Sequence, residues 1–304
     1  MPLPLLLAPA ALLAAPLLLT PLRERLTPRE LVPAGRFVTV GGYELHYTDE
    51  GSPDAPVILC IHGFAASTFT WRAQRHALTA AGWRVIALDL LGYGASARPM
   101  AAVYTTRTQA DMALGLLDAL GIDQAHLAGH SFGARVALQC AMIAPQRIRS
   151  LVVICPEAFA AQRPPIGALA ALPLVGQALA FYTLAPPLVG LGLRSMSRRY
   201  TWLTAEAIAG YAAPLMVRGS AMAQVWQARS PKDGIPAVPA GLATITCPTL
   251  VIWGADDPVF PADHGRQLAA LLPAAQLVIL PDTGHLPHEE EAEPVSHAML
   301  AFLK

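Results

Sequence analysis

The residues best suited to chemistry in this chain lie in the segment Ala128–Ala134, which reads AGHSFGA. An apolar run ends at Gly129, and a helix-like run over Ala134–Ala144 follows Gly133. In a strand–turn–helix of this kind the serine hydroxyl is exposed at a tight turn, and the glycines let the strand and helix approach closely. The spacing alone is common in proteins, but its place between strand and helix predicts that Ser131 is a nucleophile.

A nucleophilic serine needs a histidine base within hydrogen-bond reach and an acid that orients the base. In a strand–turn–helix of this type the acid and then the histidine follow the serine, each on a loop after a strand. The turn Asp256-Asp257-Pro258 follows the apolar run Thr249–Trp253, and His285 follows the run Gln276–Leu280. The order predicts a serine–histidine–acid triad, with either aspartate of the turn able to serve as the acid.

The loops that carry these residues must be positioned by strands, and the sequence contains several short apolar runs that could form them. Two segments in which polar and apolar residues alternate lie on either side of Gly41-Gly42 and predict an antiparallel hairpin. The apolar runs that follow are typical of strands buried on both faces. The predicted strands are Arg36–Val40, Tyr43–Asp49, Val57–Ile61, Arg84–Leu88, Ala125–Ala128, Leu151–Cys155, Thr249–Trp253 and Gln276–Leu280. Helix-length segments separate most of them, which predicts a three-layer α/β domain with a mostly parallel sheet.

The strand pattern is interrupted between Phe159 and Gly241, where the chain is rich in proline, alanine and leucine. An interruption of roughly 80 residues is too long for a plain loop and predicts a helical lid over the carboxyl ends of the strands. The uncharged stretch Pro164–Leu193 within it is not expected to span a membrane, because its five prolines would break the helix and a single crossing would divide the active site. We therefore divide the chain into residues 1–35, a core of residues 36–159 and 242–304, and a lid of residues 160–241.

Composition excludes two classes of protein. Hydrophobic residues make up 54% of the chain, and 21 basic residues balance 21 acidic ones. Disordered chains have few apolar residues and unbalanced charge, and nucleic-acid-binding domains carry dense basic patches. Neither description fits. Four widely separated cysteines without C-x-x-C spacing indicate reduced core residues and no redox pair or zinc site.

The first 22 residues contain no charged side chain and ten leucines. About 20 helical residues cross a ~30 Å hydrocarbon core. The nearest basic residues, Arg23, Arg25 and Arg29, follow the apolar run, whereas a cleaved signal carries them before it. We expect an uncleaved membrane anchor with the bulk of the chain cytoplasmic. An exported precursor, or a cytoplasmic protein with a misassigned start codon, stays open, since four prolines weaken the helix.

Together these motifs resemble the α/β-hydrolase superfamily, and among its members the lidded serine esterases and lipase-like hydrolases. The resemblance covers residues 36–304. The motifs that carry it are His62-Gly63-Phe64, the segment Asp89–Ser96, the Ser131 turn, the Asp257 turn and Gly284-His285. The catalytic acid of the family stands directly before the proline of this turn, which selects Asp257 over Asp256. The family's Gly-His pair selects His285 as the base.

Mechanism requires two backbone N–H groups that bind the developing oxyanion. The first is that of Phe132, directly after the nucleophile, and the resemblance assigns the second to Phe64. Their side chains are then free to line an apolar acyl pocket. Four nearby side chains are expected to have supporting roles rather than catalytic ones: His62 behind the oxyanion loop, His130 beside the turn, Asp89 on loop backbone, and His288 as a helix cap or lid contact. No metal or other cofactor is inferred.

These residues predict hydrolysis of a carboxylic ester with an apolar acyl or aryl group, and no nucleic-acid partner. The framework also serves carbon–carbon bond hydrolases, acyltransferases and perhydrolases, and Arg194, Arg198 or Arg199 of the lid could bind the carboxylate of an anionic dienone. Serine at position 131 disfavours haloalkane dehalogenase and epoxide hydrolase activities, because relatives with those activities use aspartate at this position. A non-catalytic ligand-binding protein on the same fold is the alternative from another class. The sequence predicts neither the natural substrate nor the oligomeric state.

Overall fold

The computed structural model of the protein describes residues 15–159, 169–183, 185–230 and 241–304. These residues form one eight-stranded sheet with helices around it. Its strands are β1 (Arg36–Val40), β2 (Tyr43–Glu50), β3 (Val57–Ile61), β4 (Arg84–Leu88), β5 (Ala125–His130), β6 (Ile148–Ile154), β7 (Thr249–Gly254) and β8 (Ala275–Leu280). The prediction of a mostly parallel α/β domain is confirmed.

The strand order is β1-β2-β4-β3-β5-β6-β7-β8. The β1–β2 and β2–β4 pairs are antiparallel, and every other neighbouring pair is parallel. β7 is buried along its whole length, and β3 and β4 are buried except for one half-buried residue each. Such strands are covered on both faces, which explains why their sequences are continuous apolar runs. Because β3, β5, β6, β7 and β8 run parallel, the loops at their carboxyl ends meet at one edge.

Helices connect and cover the strands. After a helix over residues 15–23 they are α1 (Arg72–Ala80), α2 (Thr106–Ala119), α3 (Phe132–Ile143), α4 (Pro173–Thr183), α5 (Val189–Met196), α6 (Ala205–Ala212), α7 (Ser220–Arg229), α8 (Ala262–Leu271) and α9 (Ala292–Phe302). Short helices cover Pro28–Leu31 and Pro287–Glu290. In the core, α2 packs on α3, and α1 packs on α9.

The segment between β6 and β7 is a helical insertion that contains α4 to α7 and, among its described residues, no strand. α7 packs against α4, and α5 against α6. The lid boundaries predicted at residues 160 and 241 lie in or next to ranges outside the described residues, so they stay predictions. We refer to residues 169–183 and 185–230 as the insertion.

The core of the sheet is a continuous apolar cluster in which Trp71 and Trp253 are the largest fully buried side chains. The four cysteines are free; Cys60, Cys140 and Cys155 are buried, and Cys247 is half-buried. They therefore behave as small hydrophobic side chains of the core.

Most of the apolar N-terminal run, residues 1–14, lies outside the described residues. Among the residues that are described, no single helix is long and apolar enough to cross a membrane. One pair of helices, Leu174–Thr183 and Pro186–Met196, meets the length and composition criteria together but is bent by 52°.

Candidate active site

Ser131 occupies the turn between β5 and α3, with φ of 50° and ψ of −115°. Such a conformation costs a non-glycine residue about 1–3 kcal/mol and persists only where the surroundings enforce it. A Cβ atom on Gly129 would lie 2.5 Å from Cα of Ala134, and one on Gly133 would lie 2.3 Å from the carbonyl oxygen of His62. Glycine is therefore required on both sides of the serine, as the sequence pattern indicated.

The turn is tighter than the sequence predicted. β5 continues to His130 instead of ending by Gly129, and α3 begins at Phe132 instead of Ala134. The Ser131 N–H donates to the carbonyl oxygen of Ile154 on β6, at 2.8 Å. Since the serine is the single residue between strand and helix, its hydroxyl stands at the amino terminus of α3, where negative charge is stabilised.

The structure brings the three predicted triad residues together. Nε2 of His285 lies 3.1 Å from Oγ of Ser131, and Nδ1 lies 2.8 Å from Oδ2 of Asp257. All three side chains are buried. A carboxylate only accepts hydrogen bonds, so Nδ1 carries the proton, which leaves Nε2 to accept from the serine hydroxyl. This tautomer is the one that a general base requires.

Burial distinguishes the two aspartates of the β7 turn. Asp256 is exposed, whereas Asp257 is buried. The second carboxylate oxygen of Asp257 accepts from the N–H groups of Val259 and Phe260, at 2.7 and 3.0 Å. These bonds fix the carboxylate while Oδ2 faces the imidazole.

A buried glutamate that the sequence analysis missed holds the His285 loop. The Glu290 carboxylate accepts from the N–H groups on both sides of the histidine, Gly284 at 3.1 Å and Leu286 at 3.2 Å. It also accepts from the N–H of Arg198 in the insertion, at 2.6 Å. Hydrogen bonds to a charged acceptor are stronger than neutral ones. The same carboxylate therefore positions the base and joins the insertion to the core.

The two predicted oxyanion donors lie at the same cavity as the triad. Phe132 is the first residue of α3, so its N–H has no acceptor within the helix. Phe64 follows β3, and both residues line the cavity beside Ser131. Behind this loop, Nε2 of His62 accepts from the N–H of Leu90 at 3.0 Å, and Nδ1 donates to the carbonyl oxygen of Gly63 at 2.7 Å. Burial lowers the pKa of His62, so the ring is a neutral structural partner of this loop.

Two further histidines pack beneath the base. Nε2 of His130 donates to the carbonyl oxygen of His285 at 2.8 Å, and burial lowers the pKa of His130 well below its ordinary value. Nε2 of His288 lies 2.7 Å from Oγ1 of Thr70, and its ring stacks on His130. His288 is fully buried within the short helix Pro287–Glu290, and it is connected to the insertion through Thr70, whose hydroxyl also contacts Tyr211.

Cys155, the first residue after β6, lies against the acid of the triad. Its sulfur, a carboxylate oxygen of Asp257 and a ring nitrogen of His285 lie within 4.8 Å of one another, the spacing of a possible metal-ligand set. Burial and the neighbouring Asp257 carboxylate raise the pKa of the thiol well above its ordinary value. The carboxylate and imidazole are hydrogen-bonded to each other at 2.8 Å, so the Asp257 carboxylate orients the imidazole.

Ser131 and His285 open into a cavity of about 980 Å³ between the core and the insertion. Its walls are mostly apolar, as in pockets that bind small organic molecules. α5 contributes Val189, Leu193 and Met196, and the β7 loop contributes Val259 and Phe260. Among the aromatic side chains of the insertion, Tyr211 lines the cavity. Trp202 packs against Tyr211 instead, and Phe181 lies beneath the guanidinium of Arg23.

None of the lid arginines that could have bound a carboxylate is among the described residues that line this cavity. Arg194 lies over the Tyr200 ring, and Arg199 pairs with Glu291 at 2.6 Å. The arginine that does line the cavity is Arg135, one helical turn after Ser131. The sequence offered a signal for it, since a residue four positions after the nucleophile lies on the same face of α3.

The sheet order, the turn at Ser131 and the histidine–aspartate pair define a hydrolase of the α/β type. The family model described as the alpha/beta hydrolase fold matches residues 56–292. The chain belongs to this family.

Individual relatives cover nearly the whole protein. The chain is 30% identical over 282 residues to a 2-hydroxy-6-oxo-6-phenylhexa-2,4-dienoate hydrolase of Burkholderia cepacia, covering 88% of this chain and 96% of that protein. It is 28% identical over 278 residues to the uncharacterized hydrolase YugF of Bacillus subtilis, covering 90% and 98%. A crystal structure of a bacterial membrane phospholipase A superposes with a TM-score of 0.73 and 26% identity, covering 99% of this chain and 95% of that one.

Proposed function

We propose that the protein hydrolyses carboxylic esters through a covalent acyl-enzyme on Ser131. The observation that carries the proposal is the hydrogen-bonded series from Ser131 through His285 to Asp257, which opens into a mostly apolar cavity. A serine hydroxyl is a weak nucleophile until an adjacent base takes its proton, and the 3.1 Å contact with Nε2 supplies that base.

In this mechanism Oγ of Ser131 attacks the ester carbonyl carbon while Nε2 of His285 takes the hydroxyl proton. Asp257 stabilises the resulting imidazolium, and the N–H groups of Phe132 and Phe64 bind the oxyanion. The imidazolium then gives its proton to the departing alcohol. A water molecule, activated by the same imidazole, hydrolyses the acyl-enzyme and restores the serine.

The insertion acts in this proposal as a lid that selects apolar substrates. Its helices α4, α5 and α7 form cavity wall, and the side chains contributed by α5 are all apolar. Burial of an apolar acyl or aryl group stabilises the complex by about 25 cal/mol for each Å² removed from water. Esters with longer acyl chains should therefore bind more tightly until the cavity is filled.

Carbon–carbon bond hydrolysis is the second candidate, because a dienoate hydrolase is among the relatives. Such a substrate is an anion and needs a cation at the cavity. Arg135 is present there, but the carboxylate of Glu157 lies 3.3 Å from its guanidinium and offsets the charge. This pairing favours an uncharged ester over an anionic dienone. Acyl transfer to an alcohol or peroxide acceptor would use the same acyl-enzyme.

The deciding assay compares nitrophenyl esters of increasing chain length with a dienone whose cleavage is followed by ultraviolet absorbance. We expect ester hydrolysis and little dienone cleavage, and Ser131→Ala should lower ester turnover by about 10⁴–10⁶-fold. Undiminished hydrolysis by Ser131→Ala would contradict the mechanism. Faster dienone cleavage would select the second candidate, and product analysis with added alcohol would detect acyl transfer. Failure of Ser131 to react with a fluorophosphonate would favour a binding protein.

We also propose that residues 1–22 attach the protein to a membrane. Within the helix of residues 15–23, Leu18 and Leu22 are 74% and 73% exposed, although they continue an uncharged apolar run. Exposed apolar side chains of this kind mark contact surfaces for lipid or protein. The membrane phospholipase relative, which spans 99% of this chain, is consistent with such an anchor.

Fractionation of cells that express the full chain tests this attachment. We expect the protein in the membrane pellet, resistant to carbonate extraction, and a Leu18→Glu/Leu22→Glu variant should shift toward the soluble fraction. Amino-terminal sequencing separates an anchor from a signal, because a cleaved precursor would lack residues 1–22. Wild-type protein in the soluble fraction would contradict the proposal.

A further inference from the structure

The mostly apolar cavity includes four polar side chains from neighbouring parts of the core and the insertion. We call Arg135, Glu157, Gln224 and Gln227 the polar cluster; all four line the same cavity as Ser131. They come from three separate elements: α3, the loop after β6, and α7 of the insertion. The cluster therefore exists only where the insertion lies over the core.

Arg135 and Glu157 contact each other beside the nucleophile, and the side chains of Gln224 and Gln227 hydrogen-bond to Tyr93. The Arg135 guanidinium lies 3.3 Å from Glu157 Oε2, and the N–H groups of both residues face the carbonyl oxygen of Ser131, at 3.1 and 3.4 Å. On the insertion side, the hydroxyl of buried Tyr93 donates to Oε1 of Gln227 at 2.5 Å. Burial raises the pKa of Tyr93 above its ordinary value, and the nearby Glu157 carboxylate contributes to this rise.

One acceptor of the cluster has no protein donor. Oε1 of Gln224 is buried and, among the described residues, has no hydrogen-bond partner. A buried polar atom left without a partner costs about 1–3 kcal/mol, so a donor that reaches this oxygen, from a ligand or from water, stabilises the site. An amide oxygen accepts, which means that the missing partner is a donor such as a hydroxyl group.

The charges of the cluster also restrict the charge of the ligand group that can bind there. The Arg135 and Glu157 charges offset each other, so a carboxylate or phosphate at this cluster would face the Glu157 carboxylate. A hydroxyl group can donate to Gln224 or Glu157 and accept from Arg135 without a net charge. The polar cluster therefore fits an uncharged hydroxyl-bearing group, while α5 and the β7 loop fit an apolar chain.

We propose that the natural substrate is an amphipathic ester with an apolar chain at one end and an uncharged hydroxyl-bearing group at the other, recognised by the polar cluster. This inference rests on the proposed ester hydrolysis and names its substrate class. The hydroxyl can belong to the alcohol, as in a glycerol monoester, or to the acyl chain, as in a hydroxyacyl ester. A site built to hydrogen-bond such a group discriminates against an analogue that lacks it.

Four octanoyl substrates test the proposal: monooctanoylglycerol, ethyl 8-hydroxyoctanoate, ethyl octanoate, and octanoyloxyacetate, which carries a carboxylate. We expect kcat/KM for one of the hydroxylated esters to exceed that for ethyl octanoate by about tenfold to a hundredfold, and the preferred one identifies which side carries the hydroxyl. Octanoyloxyacetate should be the poorest substrate. Rates within twofold for all four esters, or preference for octanoyloxyacetate, would overturn the inference.

Substitutions in the polar cluster test whether these residues cause the preference for hydroxylated esters. Gln224→Leu should lower the ratio of kcat/KM for the preferred hydroxylated ester to kcat/KM for ethyl octanoate toward one. Gln276→Leu, on the exposed surface of β8, should leave this ratio unchanged. Glu157→Gln leaves the Arg135 charge unbalanced and should raise octanoyloxyacetate hydrolysis about tenfold relative to monooctanoylglycerol. An unaltered ratio in both cluster variants, each with a wild-type melting temperature, would overturn the assignment. Failure of the wild-type protein to hydrolyse any ester would instead remove the proposed function.

Discussion

The core and the insertion hold their functional groups in different ways. In the core, the reacting side chains stand at strand ends and are fixed by hydrogen bonds, as the three bonds accepted by the Asp257 carboxylate illustrate. The insertion contributes the apolar surface of α5, whose cavity-lining side chains are held by packing; a backbone bond joins this helix to the base, from the N–H of His285 to the carbonyl oxygen of Met196, at 2.8 Å. Directional bonds set the chemistry to within a fraction of an ångström, whereas packed apolar walls select size and shape. Substitutions in the core should therefore lower kcat, and substitutions in the insertion should change KM and chain-length preference.

Among the hydrogen bonds that join these regions, two buried networks lie next to the active site. Glu290 accepts from the N–H of Arg198, and the hydroxyl of Tyr211 contacts Thr70 at 2.6 Å and Glu289 at 2.7 Å. Substitutions in these two networks test whether the core sets the chemistry and the insertion sets substrate selection.

Of the substitutions that compare the core with the insertion, replacement of the catalytic acid should have the largest effect on kcat. Asp257→Asn keeps the shape of the side chain but can place an amide donor toward the imidazole, which then loses the tautomer that leaves Nε2 as base. We expect kcat to fall about 10³–10⁴-fold with a small change in KM. Asp256→Asn is the matched control and should retain full activity. Equal losses from both variants would show that the buried aspartate is not the acid.

Glu290→Gln should have an intermediate effect, because it breaks the network that joins the two regions at the base. The amide has one acceptor oxygen and cannot serve all the N–H groups that the carboxylate binds. We expect kcat to fall about tenfold to a hundredfold, and the free energy of unfolding to fall by about 2–3 kcal/mol. The exposed Glu293→Gln substitution serves as control. Steady-state kinetics and urea unfolding measure the two effects, and an unchanged kcat would remove Glu290 as a positioning residue.

Tyr211→Phe tests the second network from the insertion side, with a smaller effect. The variant loses the hydroxyl contacts to Thr70 and Glu289 but keeps the ring that lines the cavity. We expect KM for a medium-chain ester to change by about twofold to fivefold, kcat to stay within twofold, and stability to fall by about 1 kcal/mol. A loss of kcat comparable to that of Asp257→Asn would contradict the division between the regions.

The last prediction concerns stability rather than activity: a buried histidine of the core should make stability depend on pH. Burial, with the Arg72 and His285 charges, lowers the pKa of His288 to about 3 from an ordinary value of 6.5. Between these values the unfolded chain binds more protons than the folded one, so stability is lost as the pH falls below 6.5. His288→Gln should reduce the loss of unfolding free energy between pH 7 and pH 5 by about 2 kcal/mol. Urea unfolding at both pH values measures it; identical losses in variant and wild type would contradict this assignment.

Much of the core could be predicted from the sequence because its signals are local. Val57–Ile61 and Arg84–Leu88 have the bounds that their apolar runs indicated, since strands covered on both faces show no polar alternation. The order of Ser131, Asp257 and His285, each on a loop after a strand, was enough to place them at one edge of the sheet.

What the sequence left undetermined depends on contacts between distant residues. Glu290 follows His285 by five residues, but its partner Arg198 lies in the insertion, and no periodicity relates the two. The sequence left open whether Arg194, Arg198 or Arg199 of the lid could bind a carboxylate. The side chains of Arg194 and Arg199 contact Tyr200 and Glu291, because the face that a short helix buries is decided by tertiary packing. The Arg135–Glu157 pair was missed for the same reason.

The central claim is that Ser131 is a nucleophile activated by the His285–Asp257 pair, and reaction with a fluorophosphonate followed by intact-protein and peptide mass spectrometry tests it most directly. We predict one adduct per chain, on Ser131, formed at least a hundredfold more slowly in Asp257→Asn and at the wild-type rate in Asp256→Asn. An adduct on another residue, or no adduct on a folded wild-type protein, would contradict the account.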